Sequence, residues 1–248
     1  MIEIRGTTTL VGLLGWPTAH SLSPRMQNAG FRALGLDWAY VPLPTPPERL
    51  ADAVRGLVAL GFAGANVTIP HKQAVLAHCD EVDDVARQAG SVNTLVIREG
   101  RVLGSSTDGA AVTAGLDAAG RHAVVLGTGG AALAAAAALR DAGAEVETTG
   151  RRDPGWPPPP DGIDVLVNAT PVKDALLVEP RPSMQIVDLA YRADGTPTAL
   201  VEAARRAGCG VVVDGAEVLL LQGAASFERW TGLAAPVDAM REALRGAK

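Results

Sequence analysis

The sequence predicts an α/β protein of two domains, and three observations carry that prediction. Short apolar runs alternate with helical patterns, as in layers built on parallel strands. The alternation restarts after Asp108. A glycine-rich loop, within VVLGTGGAAL, directly follows one of the strands and opens a helix. The domains are set at 1–107 together with 216–248, and at 108–215, with the C-terminal helices returning to the first.

In order, LVGLLG (10–15) reads as a buried strand, and Pro24 suits the first turn of a helix bearing Met26, Ala29 and Leu34. WAYVPL (38–43) is a second strand. Leu50, Val54, Leu57 and Val58 fall at helical spacing, and Gly61 ends that helix. GANVT (64–68) is a third strand, and Pro70 is expected to open another helix carrying Val75 and Leu76. Residues 94–104 read as a hairpin with a Gly-containing turn. Past Asp108, a helix is expected over 109–119, then strand HAVVLG, loop TGG, helix AALAAAAALRDAG and strand AEVETT. IDVLVN, QIVDL and GVVVD follow as strands, with a helix over 197–207 between the last two. Helices at about 216–230 and 236–246 finish the chain.

The 248 residues are 48% hydrophobic and 20% charged, which predicts a packed core. A formal net charge of −5 and the lack of a long basic run argue against nucleic-acid binding. The start MIEIRGTTTL does not read as a secretory signal, and Ala131–Leu139 is too short to span a bilayer. Cys79 and Cys209 are far apart and form no metal-spacing pair. A cytoplasmic protein without a metal is expected; the oligomeric state is left open.

Gly127, Gly129 and Ala132 stand in G-x-G-x-x-A spacing between a strand and a helix. Glycine permits the tight turn and lets the backbone approach a pyrophosphate, while the helix start offers free N–H groups. The next strand ends in Gly150, Arg151 and Arg152 where an NAD site would place an acidic residue. Two arginines suit a 2′-phosphate, hence NADP. Glu147 reads instead as a solvated edge residue.

In the first domain, Ser21 and Ser23 lie near a helix start, with Ser23 before Pro24 read most simply as its N-cap. Asn66 and Thr68, two apart, share a strand face. Asn93 and Asp108 close the SVNT and SST stretches. Alone, each is an ordinary cap or turn residue, and Lys72 an ordinary surface lysine. Together they are polar groups gathered at element ends, where α/β proteins bind ligands. A lysine at the start of the helix expected after Pro70 would have its charged form disfavoured by the helix dipole. Asp108 would oppose that shift and orient the ammonium for proton transfer to a carbonyl oxygen.

These motifs, GWPTAHSLSP (15–24), GANVTIPHK (64–72), GSVNT (90–94), GSSTDG (104–109), LGTGGA (126–131), NAT (168–170), DLAY (188–191) and LQGAASFERWTG (221–232), occur in the order found in shikimate dehydrogenases, which the chain resembles over nearly its whole length. The resemblance implies an N-terminal substrate domain, a Rossmann-like NADP domain, and NADPH-dependent, reversible reduction of 3-dehydroshikimate to shikimate. By it, Ser21 and Ser23 hold the substrate carboxylate, with Tyr191 nearby. Thr68, Lys72, Asn93, Asp108 and Gln222 hold the ring hydroxyls and carbonyl, and Lys72 and Asp108 are the catalytic pair. Gly127, Gly129, Gly130 and Ala131 cradle the pyrophosphate, Arg151 meets the 2′-phosphate, and Gly215 lies near the nicotinamide.

The chain departs from the family pattern at Gln27 (usually His), Ser106 (usually Asn) and Lys173 (usually Gly), the last crowding the loop that faces the cofactor. The largest departure is DPGWPPPPDGI (153–163): eleven residues before the next strand, where the family has room for a helix and a strand. Four consecutive prolines forbid a regular helix. The second βαβ unit is therefore expected to be truncated, leaving AEVETT as an edge that the proline run helps to blunt. Alternative readings are a quinate or amino-shikimate dehydrogenase, or a shikimate-binding paralogue that no longer turns over.

Overall fold

The structure, a computed structural model, describes residues 3–245. Residue 246, to which the last helix was expected to run, lies outside them. The chain divides into two compact units, one up to Thr107 together with Leu220 onward, the other Asp108–Leu219.

The first unit contains β1 (Thr9–Gly15), α1 (Ser23–Ala33), β2 (Trp38–Pro44), α2 (Leu50–Ala59), β3 (Gly64–Val67), β4 (Glu81–Val82), α3 (Asp84–Ala89), β5 (Thr94–Arg98) and β6 (Arg101–Ser105). Its sheet has the order β2-β1-β3-β5-β6-β4. β1 runs parallel to both β2 and β3, and β5 is antiparallel to both β3 and β6. Side chains alternate across β1: Val11 and Leu13 join Phe31, Tyr40, Phe227 and Trp230 on one face, and Leu14 joins Leu50, Val54, Leu57 and Leu95 on the other. The β5–β6 hairpin turns at Glu99 and Gly100, whose φ of 52° and 77° are the left-handed pair of a type I′ turn.

The second unit contains α4 (Asp108–Thr113), β7 (His122–Leu126), α5 (Gly130–Asp141), β8 (Glu145–Thr149), β9 (Val165–Asn168), β10 (Gln185–Asp188), α6 (Ala199–Ala207) and β11 (Val211–Val213). Its parallel sheet has the order β11-β10-β9-β7-β8. Thr198 caps α6 by accepting from Val201 N–H, and Gly208, at φ 79°, ends it. From Gly150 to Asp164 there is neither helix nor strand. The expected truncation is present: β8 is an edge. Trp156 and Ile163, from the connecting segment, pack against Val124, Leu126, Leu166 and Met184, covering core that a shortened chain would otherwise bare. α7 (Gly215–Thr231) starts in this unit and continues into the first, and α8 (Val237–Arg245) packs on α1 there. Among the described residues, no helix is long and apolar enough to cross a membrane.

Three local expectations are corrected. No α-helix follows Pro70; the segment makes turns and then a five-residue 3₁₀ helix, Ala74–His78. The carbonyl of Lys72 accepts from Val92 N–H at 2.8 Å instead of an amide one turn along, and Leu76 N–H goes to Gln73 O. Second, α4 stops at Thr113 rather than 119, because Gly115 at φ 80° leaves the helical region and Leu116 N–H closes a turn onto Thr113 O. Third, Ser23 is not the N-cap of α1 but its first helical residue; Leu22 holds the cap position, without a side-chain bond.

Candidate active site

In the first unit two of the predicted substrate residues, Asn93 and Gln222, meet in a buried amide and hydroxyl network. Asn93 is 2% exposed and uses both ends of its amide. Its Oδ1 accepts from Thr107 N–H at 2.9 Å and from Thr94 Oγ1 at 3.0 Å. Its Nδ2 donates to Thr107 Oγ1 at 2.8 Å and to Gln222 Oε1 at 3.2 Å. Thr107 Oγ1 in turn donates to the Gln222 carbonyl at 3.0 Å. A side-chain amide saturated in this way is held in one orientation.

Behind that pair lies a layer around Asn66 that includes Ser226 and Tyr40, neither of which the sequence reading singled out. Ser226, fully buried, contacts Thr94 Oγ1 at 2.7 Å, accepts from Asn66 Nδ2 at 2.9 Å and donates to the Gln222 carbonyl at 3.0 Å. Tyr40 OH donates to Asn66 Oδ1 at 2.9 Å. Ser226 was findable: it follows Gln222 by four residues, one helical turn along the same face. Asn66 thus serves this network rather than an open face.

Lys72 is half-buried, and its carbonyl accepts from the N–H of Val92, the residue preceding Asn93. The neighbouring His71 ring, 1% exposed, bonds the Thr45 carbonyl through Nε2 at 2.7 Å. These ties hold the backbone of the 71–72 segment in place. The dipole argument for Lys72 falls with the α-helix it needed. Thr68, half-buried, follows β3 and donates its N–H to Leu14 O at 2.8 Å. Ser21 accepts from Ser23 N–H through Oγ at 3.2 Å, so one hydroxyl satisfies an amide at the start of α1 while Ser23 itself is buried. Gln27 donates Nε2 to Gly223 O at 2.9 Å, pinning α7 beside Gln222.

In the second unit Asp108 is the first residue of α4 and is buried. Gly127 lies at φ 121°, and a Cβ there would come within 3.0 Å of the Ala169 carbonyl, so both backbone shape and space demand glycine. Gly129 precedes α5 with open space on its Cβ side; Gly130 and Ala131 form the helix's first turn. The start of α5 therefore presents unobstructed N–H groups, which suits a pyrophosphate. Arg151 and Arg152 are exposed just past β8, and among the described residues neither has a partner. Asp153 Oδ2 accepts from Gly150 N–H at 2.8 Å and fixes that turn. Glu147 is exposed on β8, 3.9 Å from His122 Nε2, as a solvated edge residue should be. These features fit a phosphorylated dinucleotide. Gly215 has a packing reason of its own: a Cβ would clash with the Ala190 carbonyl.

The loops after β9 and β10 are joined by Asp188, which is fully buried. Its Oδ1 accepts from Asn168 Nδ2 at 2.8 Å and from Ala190 N–H at 3.0 Å, and its Oδ2 accepts from Thr198 Oγ1. Burial pushes the carboxyl pKa up against the lowering effect of these donors. Half-buried Tyr191 follows, with Lys173 Nζ 5.8 Å from its ring centroid.

Comparison with known proteins gives the same reading. Residues 13–95 match the family model described as "Shikimate dehydrogenase substrate binding domain", and residues 215–245 the one described as "Shikimate 5'-dehydrogenase C-terminal domain". The shikimate dehydrogenase (NADP(+)) of Rubrobacter xylanophilus is 44% identical, with 98% of each chain aligned. That alignment runs over 283 positions against 248 residues here, so the relative carries segments that this chain lacks. The crystal structure of shikimate dehydrogenase from Aquifex aeolicus superposes with a TM-score of 0.87 at 30% identity, covering 98% of this chain and 100% of that one. The Thermus thermophilus enzyme in complex with NADP(H) and shikimate gives 0.82 at 35% identity, covering 97% and 100%. With a relative that similar across almost the full length, and with family models matched in both its N-terminal and C-terminal parts, the chain belongs to the shikimate dehydrogenase family.

Proposed function

We propose that the chain catalyses the reversible reduction of 3-dehydroshikimate to shikimate with NADPH. The observation that carries this reading is the bond from Val92 N–H to the Lys72 carbonyl, which sets the lysine segment beside Asn93, itself bonded to Gln222. Three sequence motifs, those of Lys72, Asn93 and Gln222, are thereby linked, which supports this reading.

The roles follow from the chemistry of each group. Ser21, Ser23 and Tyr191 take the carboxylate, as hydroxyls able to donate to it. Gln222 and Thr68 address the ring hydroxyls, and Asn93 holds the Gln222 side chain in place for them through the 3.2 Å bond between the two amides. The bound NADPH supplies the hydride. Lys72 gives a proton to the carbonyl oxygen as that hydride reaches the carbon, and Asp108 orients the ammonium. In the oxidative direction Lys72 receives the proton back. The start of α5, with Gly127, Gly129, Gly130 and Ala131, binds the pyrophosphate, and Arg151 and Arg152 the 2′-phosphate. The unpaired thiols of Cys79 and Cys209 support a reducing, cytoplasmic setting.

The test is turnover. Purified protein should form NADPH from NADP⁺ and shikimate faster than from quinate or an amino-shikimate under the same conditions. Lys72→Ala should lower kcat by ~10²–10⁴ while leaving the melting temperature in place. No turnover of shikimate by the wild type removes the proposed activity, and full turnover by Lys72→Ala removes the proton-transfer role.

A further inference from the structure

The order β11-β10-β9-β7-β8 reverses direction between β7 and β9, and a dinucleotide lies across the crevice at such a reversal. Its phosphate groups are fixed to one side: the pyrophosphate at the α5 start beyond β7, the 2′-phosphate at Arg151 and Arg152 beyond β8. Neighbouring strands are about 4.8 Å apart. An extended dinucleotide so anchored runs its nicotinamide end the other way, past the ends of β9 and β10. Those ends carry Lys173 and Tyr191.

Lys173 is held there firmly. Its carbonyl accepts from Ala199 N–H at 2.8 Å and from Arg192 Nη2 at 3.2 Å. The bond between Asn168 and Asp188 joins its loop to that of Tyr191. The ammonium sits 5.8 Å from the Tyr191 ring centroid. The adjacent carboxylate, Asp174, is taken by Arg192 at 2.6 Å, and among the described residues no carboxylate pairs with Lys173. A positive charge without a counter-charge among those residues therefore stands at the nicotinamide end of the track.

We propose that Lys173 discriminates between the two redox forms of the cofactor, weakening NADP⁺ relative to NADPH. The inference rests on the NADP-dependent dehydrogenase reading above. The oxidised nicotinamide ring carries a positive charge, and the reduced ring, having gained the hydride and its electron pair, is neutral. A like charge close to the ring, in surroundings of intermediate dielectric, shifts a binding ratio roughly three- to tenfold. The shift falls with salt, because the site opens to solvent. Lys173 thus biases the enzyme toward holding NADPH and releasing NADP⁺, the order that reduction requires.

The experiment measures dissociation constants for NADP⁺ and NADPH, at low and high salt, with wild type, Lys173→Met and Lys173→Arg. Lys173→Met should tighten NADP⁺ roughly three- to tenfold and NADPH less than about twofold, with the gap narrowing as salt rises. Lys173→Arg should keep the wild-type ratio. Equal tightening of both forms by Lys173→Met would show that the side chain merely crowds the loop, and would overturn the proposal. An unchanged ratio would overturn it too. Wild type binding neither nucleotide would remove the dehydrogenase reading itself; nucleotide binding with an unchanged ratio removes only this inference.

Discussion

Replacing Asp188 separates the packing of the nucleotide domain from its charge. In Asp188→Ala, the buried Ala190 N–H and Thr198 hydroxyl lose their acceptor, and Asn168 Nδ2 keeps only the Val172 carbonyl at 3.2 Å. Each buried donor left unpaired costs ~1–3 kcal/mol, so the loss should total about 3–5 kcal/mol. For a chain of this size that lowers Tm by roughly 6–20 °C. Asp188→Asn retains an acceptor for Asn168 and Ala190 and turns an amide toward Thr198 Oγ1, so it should stay within about 1.5 kcal/mol of wild type. The two differ in pH dependence. Burial raises the folded-state pKa of Asp188, so its stabilising contribution is complete below the unfolded pKa of about 4 and is lost as pH rises through the folded value. Asp188→Asn carries no such loss, and its stability relative to wild type should grow from pH 4 upward. Urea unfolding followed by circular dichroism, with nucleotide absent, measures both. Asp188→Ala melting with wild type, or a relative stability of Asp188→Asn that is flat or falls with pH, would refute the reasoning.

Two further outcomes are expected. Ser226→Ala removes a hydroxyl that holds Asn66, Thr94 and Gln222, and should raise KM for shikimate several-fold while KM for NADP⁺ stays fixed; steady-state kinetics with each substrate varied in turn decides it. Gly215→Ala forces a methyl against the Ala190 carbonyl and should cost ~1–3 kcal/mol, read as a lowered Tm; wild-type stability would mean that the backbone there yields freely.

Much of this architecture was legible because its signals are local. The β-branched run Val211–Val213, the Glu99-Gly100 turn and the Gly208 helix end each state their conformation within a few residues. The truncation was legible from the eleven-residue length of 153–163 and its four consecutive prolines. The helix expected after Pro70 failed because the competing partner of Lys72 O, Val92, is remote in sequence and leaves no mark in the local pattern. α3 passed unread although Asp83 and Gly90 bracket it as cap and stop. In the site, single polar residues were visible, but which were addressed to ligand and which to one another was not. Asn66 and Asn93 look like ligand groups in sequence, yet Asn66 is bonded to Tyr40 and Ser226 and Asn93 to Thr94, Thr107 and Gln222.

The shortened nucleotide domain also bears on how two copies meet. β8 offers one open row of backbone groups, to which a second β8 could add in antiparallel fashion. Centred on Glu147, that register sets Glu147 against Glu147, a like-charge pair directly opposite, which is destabilising. Within the same chain, Arg140 Nη2 already reaches the Val146 carbonyl at 3.4 Å. The charge carried by Glu147 therefore acts against edge-to-edge pairing along the very strand that the shortened segment leaves uncovered.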